Sequence, residues 1–250
     1  MVGVGAAVAA SGHADVQVSF VAADGADRFG SLGELWNVRF EAVAPVREFG
    51  SFQGQRNFRG WWWLATTGGH VGFESWLERD HVMLLDFEPR VVGLSSQPFW
   101  LSWQVEGRKR RHVPDYFVRR ADGTAVVIDV RPDERIEPED AAVFAATSAA
   151  CASVGWEYRR VGAVDPVLAA NVRWVAGYRH RRCLNPEVAV RIRQVLDSPA
   201  CLGEVVSVVG DRLAVLPTLF HLLWTGVICA DLRSAPLGWA TTVFCGLRVA

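Results

Sequence analysis

The chain has 250 residues, of which half are hydrophobic and 21% are charged, and this globular composition excludes a largely disordered or collagen-like protein. Its net charge of −1 excludes a protein that coats nucleic acid through bulk charge, although local basic patches are compatible with it. Five dispersed cysteines without a CxxC pair indicate free thiols in a reducing compartment, and the first residues lack a signal-peptide pattern. We therefore expect a cytoplasmic protein that does not enter the membrane.

The first two thirds of the chain predict a tail followed by an α/β domain. Residues 1–33 are rich in Gly and Ala and lack periodicity, so a flexible N-terminal tail is predicted there. Residues 34–162 predict the α/β domain, in which a helix follows Phe73 and ends before Pro89. The elements predicted after this helix are strands at 91–94, 99–105, 112–118 and 125–130, a helix at 137–154 and a strand at 157–161.

Residues 163–250 predict a smaller C-terminal domain that is mainly helical. Asp165-Pro166 and Asn185-Pro186 have the chemistry of helix starts, and a turn pattern near the end of the chain suggests a small hairpin. The longest apolar run, residues 213–230, is interrupted by a proline and a histidine, so a buried helix followed by a strand is favoured over a membrane span. Three short helices and a hairpin fit a winged-helix variant, and an ordinary helical bundle fits equally well.

Acidic residues recur at the ends of predicted elements between residues 74 and 132. Asp115 follows Pro114 at the start of a predicted strand, and the next strand ends in Asp129 and Arg131. Because side chains alternate along a strand, Asp129 and Arg131 lie on one face. Glu74 and Glu78 are four residues apart on the predicted helix and share a face. The pattern is a helical carboxylate, an aspartate on one strand, and an acid-x-base pair on the next.

This order of residue types fits phosphodiester hydrolysis. Cleaving a phosphodiester requires divalent ions that activate water and neutralise charge on the phosphate, and Mg²⁺ prefers carboxylate and carbonyl oxygens. Each residue taken alone has a simpler explanation: Asp115 could merely begin a strand, and Asp129 with Arg131 could form a surface salt bridge. The ordered set favours a metal-dependent nuclease over these explanations, because an aspartate inside a run as apolar as AVVIDV requires a reason.

The motifs SWLE, LLDF, QP, VPDYFV and VVIDVRP, in this order, resemble the N-terminal domain of TnsA-type transposase endonuclease subunits. Those subunits belong to the PD-(D/E)xK, restriction-endonuclease-like nucleases. The resemblance is good over residues 69–132, moderate to residue 161 and weak beyond it. It implies an α/β fold with a restriction-endonuclease-like core, in which helices flank a mixed sheet.

Carried over to this chain, the resemblance implies a role for each site residue. Glu78 would be the helical acid of the metal site, Asp115 the central metal ligand and Asp129 a further ligand, with Glu74 as a helper or alternative ligand. Arg131 stands where the family has its catalytic lysine. An arginine can clamp phosphate through its planar fork, but it does not exchange a proton near neutral pH. The implied cofactor is Mg²⁺, for which Mn²⁺ can substitute.

Further residues are candidates for DNA contacts. A basic cluster in the predicted turn before the VPDYFV strand is either a solvated turn or a patch that holds the DNA backbone, and the patch is favoured. Gln97 of the QP motif matches a family position of structural or DNA-contacting use. Three adjacent tryptophans fit packing at a strand better than a base-stacking platform. The basic cluster consists of Arg108, Lys109, Arg110, Arg111 and His112, and the tryptophans are Trp61, Trp62 and Trp63.

By resemblance, the chain would be a Mg²⁺-dependent DNA endonuclease subunit of a heteromeric transposase. It would cut double-stranded DNA at transposon ends, with a DDE-type transposase subunit and an AAA-type ATPase regulator as partners. Two alternatives remain open at this point. One is another PD-(D/E)xK nuclease of restriction or repair, and the other is a non-catalytic DNA-binding or assembly subunit with the same fold.

Overall fold

A computed structural model of the chain describes residues 16–47 and 58–246. The helices within these residues are α1 (Leu32–Leu35), α2 (Trp76–Phe87), α3 (Pro138–Ser153), α4 (Pro166–Ala176), α5 (Pro186–Val195), α6 (Leu202–Val209) and α7 (Arg212–Trp224). The strands are β1 (Gln17–Val21), β2 (Asp27–Ser31), β3 (Gly60–Trp63), β4 (His70–Phe73), β5 (Val91–Ser96), β6 (Trp100–Val105), β7 (Arg108–His112), β8 (Tyr116–Arg120), β9 (Ala125–Val130), β10 (Glu157–Val161), β11 (Ala200–Cys201), β12 (Ile228–Ala230) and β13 (Thr242–Cys245).

A mixed four-stranded sheet forms the centre of the α/β region, in the order β10-β9-β8-β5. Strands β9 and β10 are parallel, and the other neighbours are antiparallel. Side chains alternate along β9, so that Val126 packs with Val82 of α2, whereas Val127 packs with Cys151 of α3. Helices therefore cover both faces of this sheet. The arrangement agrees with the predicted mixed sheet flanked by helices and is consistent with a restriction-endonuclease-like fold.

A second, antiparallel sheet with the order β2-β1-β6-β7 packs beside the first. Strand β1 lies inside this sheet and buries Val18 and Phe20 in the core that contains Leu101 of β6. The prediction of a flexible tail through residue 33 is therefore wrong for residues 17–31, and residues 1–15 lie outside the described part. The short apolar alternation of β1 is stabilised by long-range pairing with β6, which local sequence patterns do not contain.

The chain crosses from the second sheet to the first between residues 112 and 116. Strand β7 follows a tight turn in which Glu106 and Gly107 both have positive φ angles, of 50° and 74°, as in the two-residue hairpin turns. It pairs with β6, whereas β8 pairs with β5 and β9. The predicted single strand over residues 112–118 is thus two strands. Pro114 has no N–H to donate and lies at the crossing.

The C-terminal region combines helices α4–α7 with a three-stranded sheet in the order β11-β13-β12. Val205 of α6, Leu219 of α7 and Val243 of β13 are buried in one cluster, which also contains Met83 of α2. Helix α2 therefore contributes to the core of the C-terminal region as well as to the central sheet. Among the described residues, none of the helices combines the length and the apolar character needed to span a bilayer.

Asp86, the aspartate of LLDF, fixes the connection after β3. Its buried carboxylate accepts hydrogen bonds from the Trp62 indole, the Ala65 N–H and both the N–H and the hydroxyl of Thr66, at 2.9–3.1 Å. We expect Asp86→Ala to lower the free energy of unfolding by about 2–4 kcal/mol, because several buried donors lose their acceptor. Urea denaturation measures this change. Asp24→Ala, which removes an exposed carboxylate paired with Arg28, is the matched control, and a similar loss in both variants would contradict the assignment.

Candidate active site

Asp115 lies where the chain passes from one sheet to the other, directly before β8. Its Oδ2 accepts a hydrogen bond of 2.7 Å from the N–H of Val130, at the end of β9. Its backbone carbonyl accepts a bond of 2.8 Å from the N–H of Gln97, which follows β5. Hydrogen bonds from residues at the ends of β9 and β5 thus fix Asp115, which precedes β8, at one edge of the central sheet. The sequence motifs predict this position.

Negative charge converges on Asp115. Burial raises the pKa of the Asp115 carboxyl well above its ordinary value. The charges of Asp129 and Glu78 raise this pKa further, and Glu74 adds a smaller effect. The other three predicted acids therefore lie close enough to Asp115 to disfavour its negative charge. A cation bound among them would relieve that repulsion.

Glu78 is held at the start of α2 by a reciprocal cap. Its carboxylate accepts hydrogen bonds from the Ser75 hydroxyl at 2.9 Å and from the Glu74 N–H at 2.7 Å. The Ser75 oxygen in turn accepts a bond from the Glu78 N–H at 3.1 Å. Burial raises the pKa of Glu78, and the charge of Glu74 also raises it. The SWLE motif therefore both begins the helix and holds an acid near Asp115.

Glu74 already has a cationic partner. Arg47 donates a hydrogen bond of 3.2 Å to its Oε2. An ion pair at a half-exposed position contributes little to stability, but it does neutralise much of the local charge of Glu74. This geometry agrees with a helper role for Glu74 and leaves Glu78 as the stronger candidate for the site acid.

We expect Glu78→Gln to lower the single-turnover rate of DNA nicking by about 10²-fold, and Glu74→Gln by less than about tenfold. The reason is that Glu78 contributes more than Glu74 to the negative charge around Asp115, and Glu74 is already paired with Arg47. Glutamine retains an acceptor for the helix cap, so both variants should remain folded. The opposite order of the two rates would transfer the role of site acid to Glu74.

Asp129 is almost fully buried, with 2% of its surface exposed, and has two polar partners. Nε2 of His112 lies 2.9 Å from each carboxylate oxygen. The hydroxyl of Tyr158, on β10, donates to Oδ2 at 2.7 Å. The sequence analysis placed His112 in the basic cluster and not beside Asp129, and it did not single out Tyr158. His112 stands two residues before the Pro114-Asp115 pair, which is the only local indication of its position, and no pattern in the sequence connects Tyr158 with Asp129.

Arg131 does not pair with Asp129. Its Nη2 donates to both oxygens of Asp140 in α3, at 2.9 and 3.0 Å. Asp140 also accepts a bond from the Glu137 N–H at the start of that helix. This N–H lowers the pKa of Asp140, as does the Arg131 guanidinium. The simple surface pair between Asp129 and Arg131 is therefore not formed, and 44% of the Arg131 side chain remains exposed.

The acids offer hard oxygen donors of the kind that Mg²⁺ prefers, and the raised pKa of Asp115 fits a cation at their centre. In residues 16–47 and 58–246, however, no three side chains of His, Cys, Asp and Glu are placed so that they could share one ion. The donor chemistry thus fits a divalent ion such as Mg²⁺, which keeps several water ligands and is often held by only one or two carboxylates.

The predicted basic cluster forms strand β7 and not a turn. Arg108, Lys109, Arg110 and Arg111 are exposed on this edge strand, and Arg111 stacks on the ring of Trp100 at 4.3 Å. Strand β7 ends at His112, which contacts Asp129, so the basic side chains of β7 lie next to the site along the chain. This placement agrees with a surface that could contact a DNA backbone.

Gln97 lies beneath the site and not on its surface. It has 3% of its surface exposed and a left-handed backbone with φ of 46°. Its N–H donates to the Asp115 carbonyl, and its own carbonyl accepts from Val46. This burial favours the structural use of Gln97 over a direct contact with DNA.

The three adjacent tryptophans lie on β3. Trp62 donates to Asp86, and the guanidinium of Arg179 lies 4.2 Å from the ring of Trp62 and 5.6 Å from that of Trp63. Packing at a strand is thereby confirmed for these two residues. Trp61 is the most exposed of the three, with 58% of its surface accessible.

Residues 88–161 match a family model described as TnsA-like endonuclease N terminal. The matched segment includes Asp115, Asp129, Arg131 and their partners His112 and Tyr158, whereas Glu74 and Glu78 precede it. A comparison with curated proteins gave no match.

Proposed function

Because this chain contains the N-terminal endonuclease domain of the TnsA-like family, we propose that it is the Mg²⁺-dependent DNA endonuclease subunit of a heteromeric transposase. In this role it hydrolyses phosphodiester bonds at transposon ends. The observation that carries the proposal is the convergence of carboxylate charge on Asp115 within the matched segment. Such repulsion destabilises the protein without a ligand, which is expected where a cation is to be bound.

Asp115, Asp129 and Glu78 are the residues that would hold the metal. When bound, a divalent ion activates the attacking water and neutralises charge that develops on the phosphate. Asp115 is anchored by the Val130 N–H through Oδ2, which leaves its other oxygen for a ligand. Asp129 is held by His112 and Tyr158, and Glu78 by the cap of α2. These hydrogen bonds fix the position of each carboxylate in the folded chain.

Arg131 and strand β7 are the proposed phosphate contacts. The pair with Asp140 fixes the Arg131 side chain through Nη2, and the exposed remainder of its guanidinium can reach a phosphate oxygen. The cations of β7 would hold the DNA backbone on the same side of the chain. Such contacts position DNA without reading its sequence.

We further propose that α5, β11, α6, α7, β12 and β13 form a winged-helix unit. The order helix, strand, helix, helix, strand, strand and the sheet order β11-β13-β12 support this assignment. Helix α7 would correspond to the helix that reads DNA in related folds, yet Thr218 and the following residues to Trp224 are buried. This burial favours a protein partner for the C-terminal region, and the transposase subunit and the ATPase regulator are the partners that the family suggests.

A second candidate function, a non-catalytic assembly subunit, is favoured by one observation. Arg131 occupies the position of the family's lysine and is paired with Asp140. An arginine cannot transfer a proton near neutral pH. If hydrolysis requires such a transfer at this position, the chain would bind DNA without cutting it.

A nicking assay on supercoiled DNA separates the two candidates. The full chain is tested with Mg²⁺, with Mn²⁺ and with a chelator, alone and together with a transposase subunit from the same element. Metal-dependent nicking that is lost in Asp115→Asn supports the endonuclease. DNA binding without nicking under every condition supports the assembly subunit.

A further inference from the structure

We propose that Tyr158 and His112 are positioning residues for Asp129, and that their two hydrogen bonds hold its carboxylate in the orientation that binds the metal. The inference rests on the proposed function and deepens it, because it gives a role in metal binding to two side chains outside the predicted set of metal ligands. Neither residue is a carboxylate, and neither is expected to touch the metal.

Asp129 lies in a setting that requires hydrogen-bond donors. With 2% of its surface exposed, a carboxylate at the end of an apolar strand needs hydrogen-bond donors to remain in place. Tyr158 supplies one donor at 2.7 Å and His112 the other at 2.9 Å. A carboxylate has about four lone-pair sites, so these two bonds leave capacity on both oxygens for a cation.

Tyr158 is a fixed hydrogen-bond donor. Its hydroxyl lies 2.7 Å from Oδ2 of Asp129, and a carboxylate oxygen accepts such a bond from the hydroxyl. Its backbone is fixed because β10 runs parallel to β9, with Tyr158 paired to Val127. Its ring packs against the core between the two sheets. The hydroxyl therefore has little freedom to leave Asp129.

His112 approaches Asp129 from a different element of the fold. It ends β7, and its ring packs edge-on against Phe144 of α3 at 6.3 Å. The donors thus come from β7 and β10, on either side of Asp129. Outer partners that orient a metal-binding carboxylate affect metal affinity or activity by about 10–100-fold when removed.

The test is the affinity of the full chain for Mn²⁺, measured by calorimetry without DNA. Tyr158→Phe removes only the hydroxyl, and we expect it to weaken Mn²⁺ binding by about tenfold or more. Tyr178→Phe, a half-buried tyrosine of the C-terminal region, is the matched control and should bind Mn²⁺ as the wild type does. His112→Ala should weaken binding, and His112→Gln should restore part of it because the amide supplies an N–H donor.

The outcomes separate this inference from the proposed function. Mn²⁺ affinity within about twofold of wild type in both Tyr158→Phe and His112→Ala would overturn the positioning role while leaving the metal site intact. A wild-type chain that binds no Mn²⁺ would overturn the metal site and the positioning role together. If Tyr178→Phe weakens Mn²⁺ binding as much as Tyr158→Phe does, the positioning role is also overturned, because the loss would then not be specific to Tyr158.

Discussion

Asp115→Asn is expected to lower the single-turnover rate of metal-dependent nicking by about 10³-fold or more, because it removes the central charge from the metal site. Asparagine has nearly the same shape and retains a side-chain oxygen that can accept the bond from the Val130 N–H. The variant should therefore fold. Nicking at the wild-type rate by a folded Asp115→Asn protein would show that the acid cluster is not the site of hydrolysis.

The same substitution should change how stability depends on pH. The folded chain holds the Asp115 proton above the ordinary pKa of 3.8, whereas the unfolded chain has released it. More protons are then bound in the folded state, so stability falls as pH rises from about 4 through the raised pKa of Asp115. The Asp115→Asn protein should not show this fall in stability, because asparagine does not titrate. Denaturation of the metal-free proteins across the pH range measures the difference, and parallel profiles would contradict the raised pKa.

Arg131→Ala is expected to lower the nicking rate by about 10²-fold, the scale of losing one fixed electrostatic contact to the phosphate. Arg131→Lys should change the rate little, because a lysine still supplies a positive charge. In this interpretation the arginine acts on charge and not on protons. Rates of all three proteins between pH 6 and 9 provide the measurement.

A different order of these three nicking rates would require a different role for Arg131. If the wild type is nearly inert and Arg131→Lys raises its rate, the site needs a group that can exchange a proton or orient water. Asp140→Asn tests the anchor separately, because it removes the charge that pairs with Arg131 and retains acceptors for the start of α3.

Much of the central sheet could be predicted from sequence. Strands β9 and β10 occur at the predicted residues, because apolar, β-branched runs bounded by turns carry their own signal. Strands β1 and β2 could not be predicted, since their stability depends on pairing with β6, about 80 residues away along the chain. The division at Pro114 was missed for a similar reason: alternation continues across it, but the partners change from one sheet to the other.

Of the candidate site, only the acidic residues could be predicted from the sequence. Residue order and spacing predicted that Asp115, Asp129 and Glu78 lie near one another, and the charges of Asp129 and Glu78 do raise the pKa of Asp115. The bonds from His112 and Tyr158 could not be predicted, since their partner Asp129 lies 17 and 29 residues away and on another strand. The match to the TnsA-like model covers the strands of the site and therefore supports its chemistry, whereas the details of orientation come from the structure.

The central claim, that this chain cuts DNA with a bound divalent ion, is tested most directly by adding the metal back. Wild-type chain freed of metal with a chelator is mixed with end-labelled double-stranded DNA and the transposase subunit, and Mg²⁺ is then titrated in. We predict no product without metal, and strand cleavage that rises and saturates with Mg²⁺ for the wild type but not for Asp115→Asn. Cleavage that is independent of metal, or no cleavage by the wild type at any concentration of Mg²⁺ or Mn²⁺, would contradict the claim.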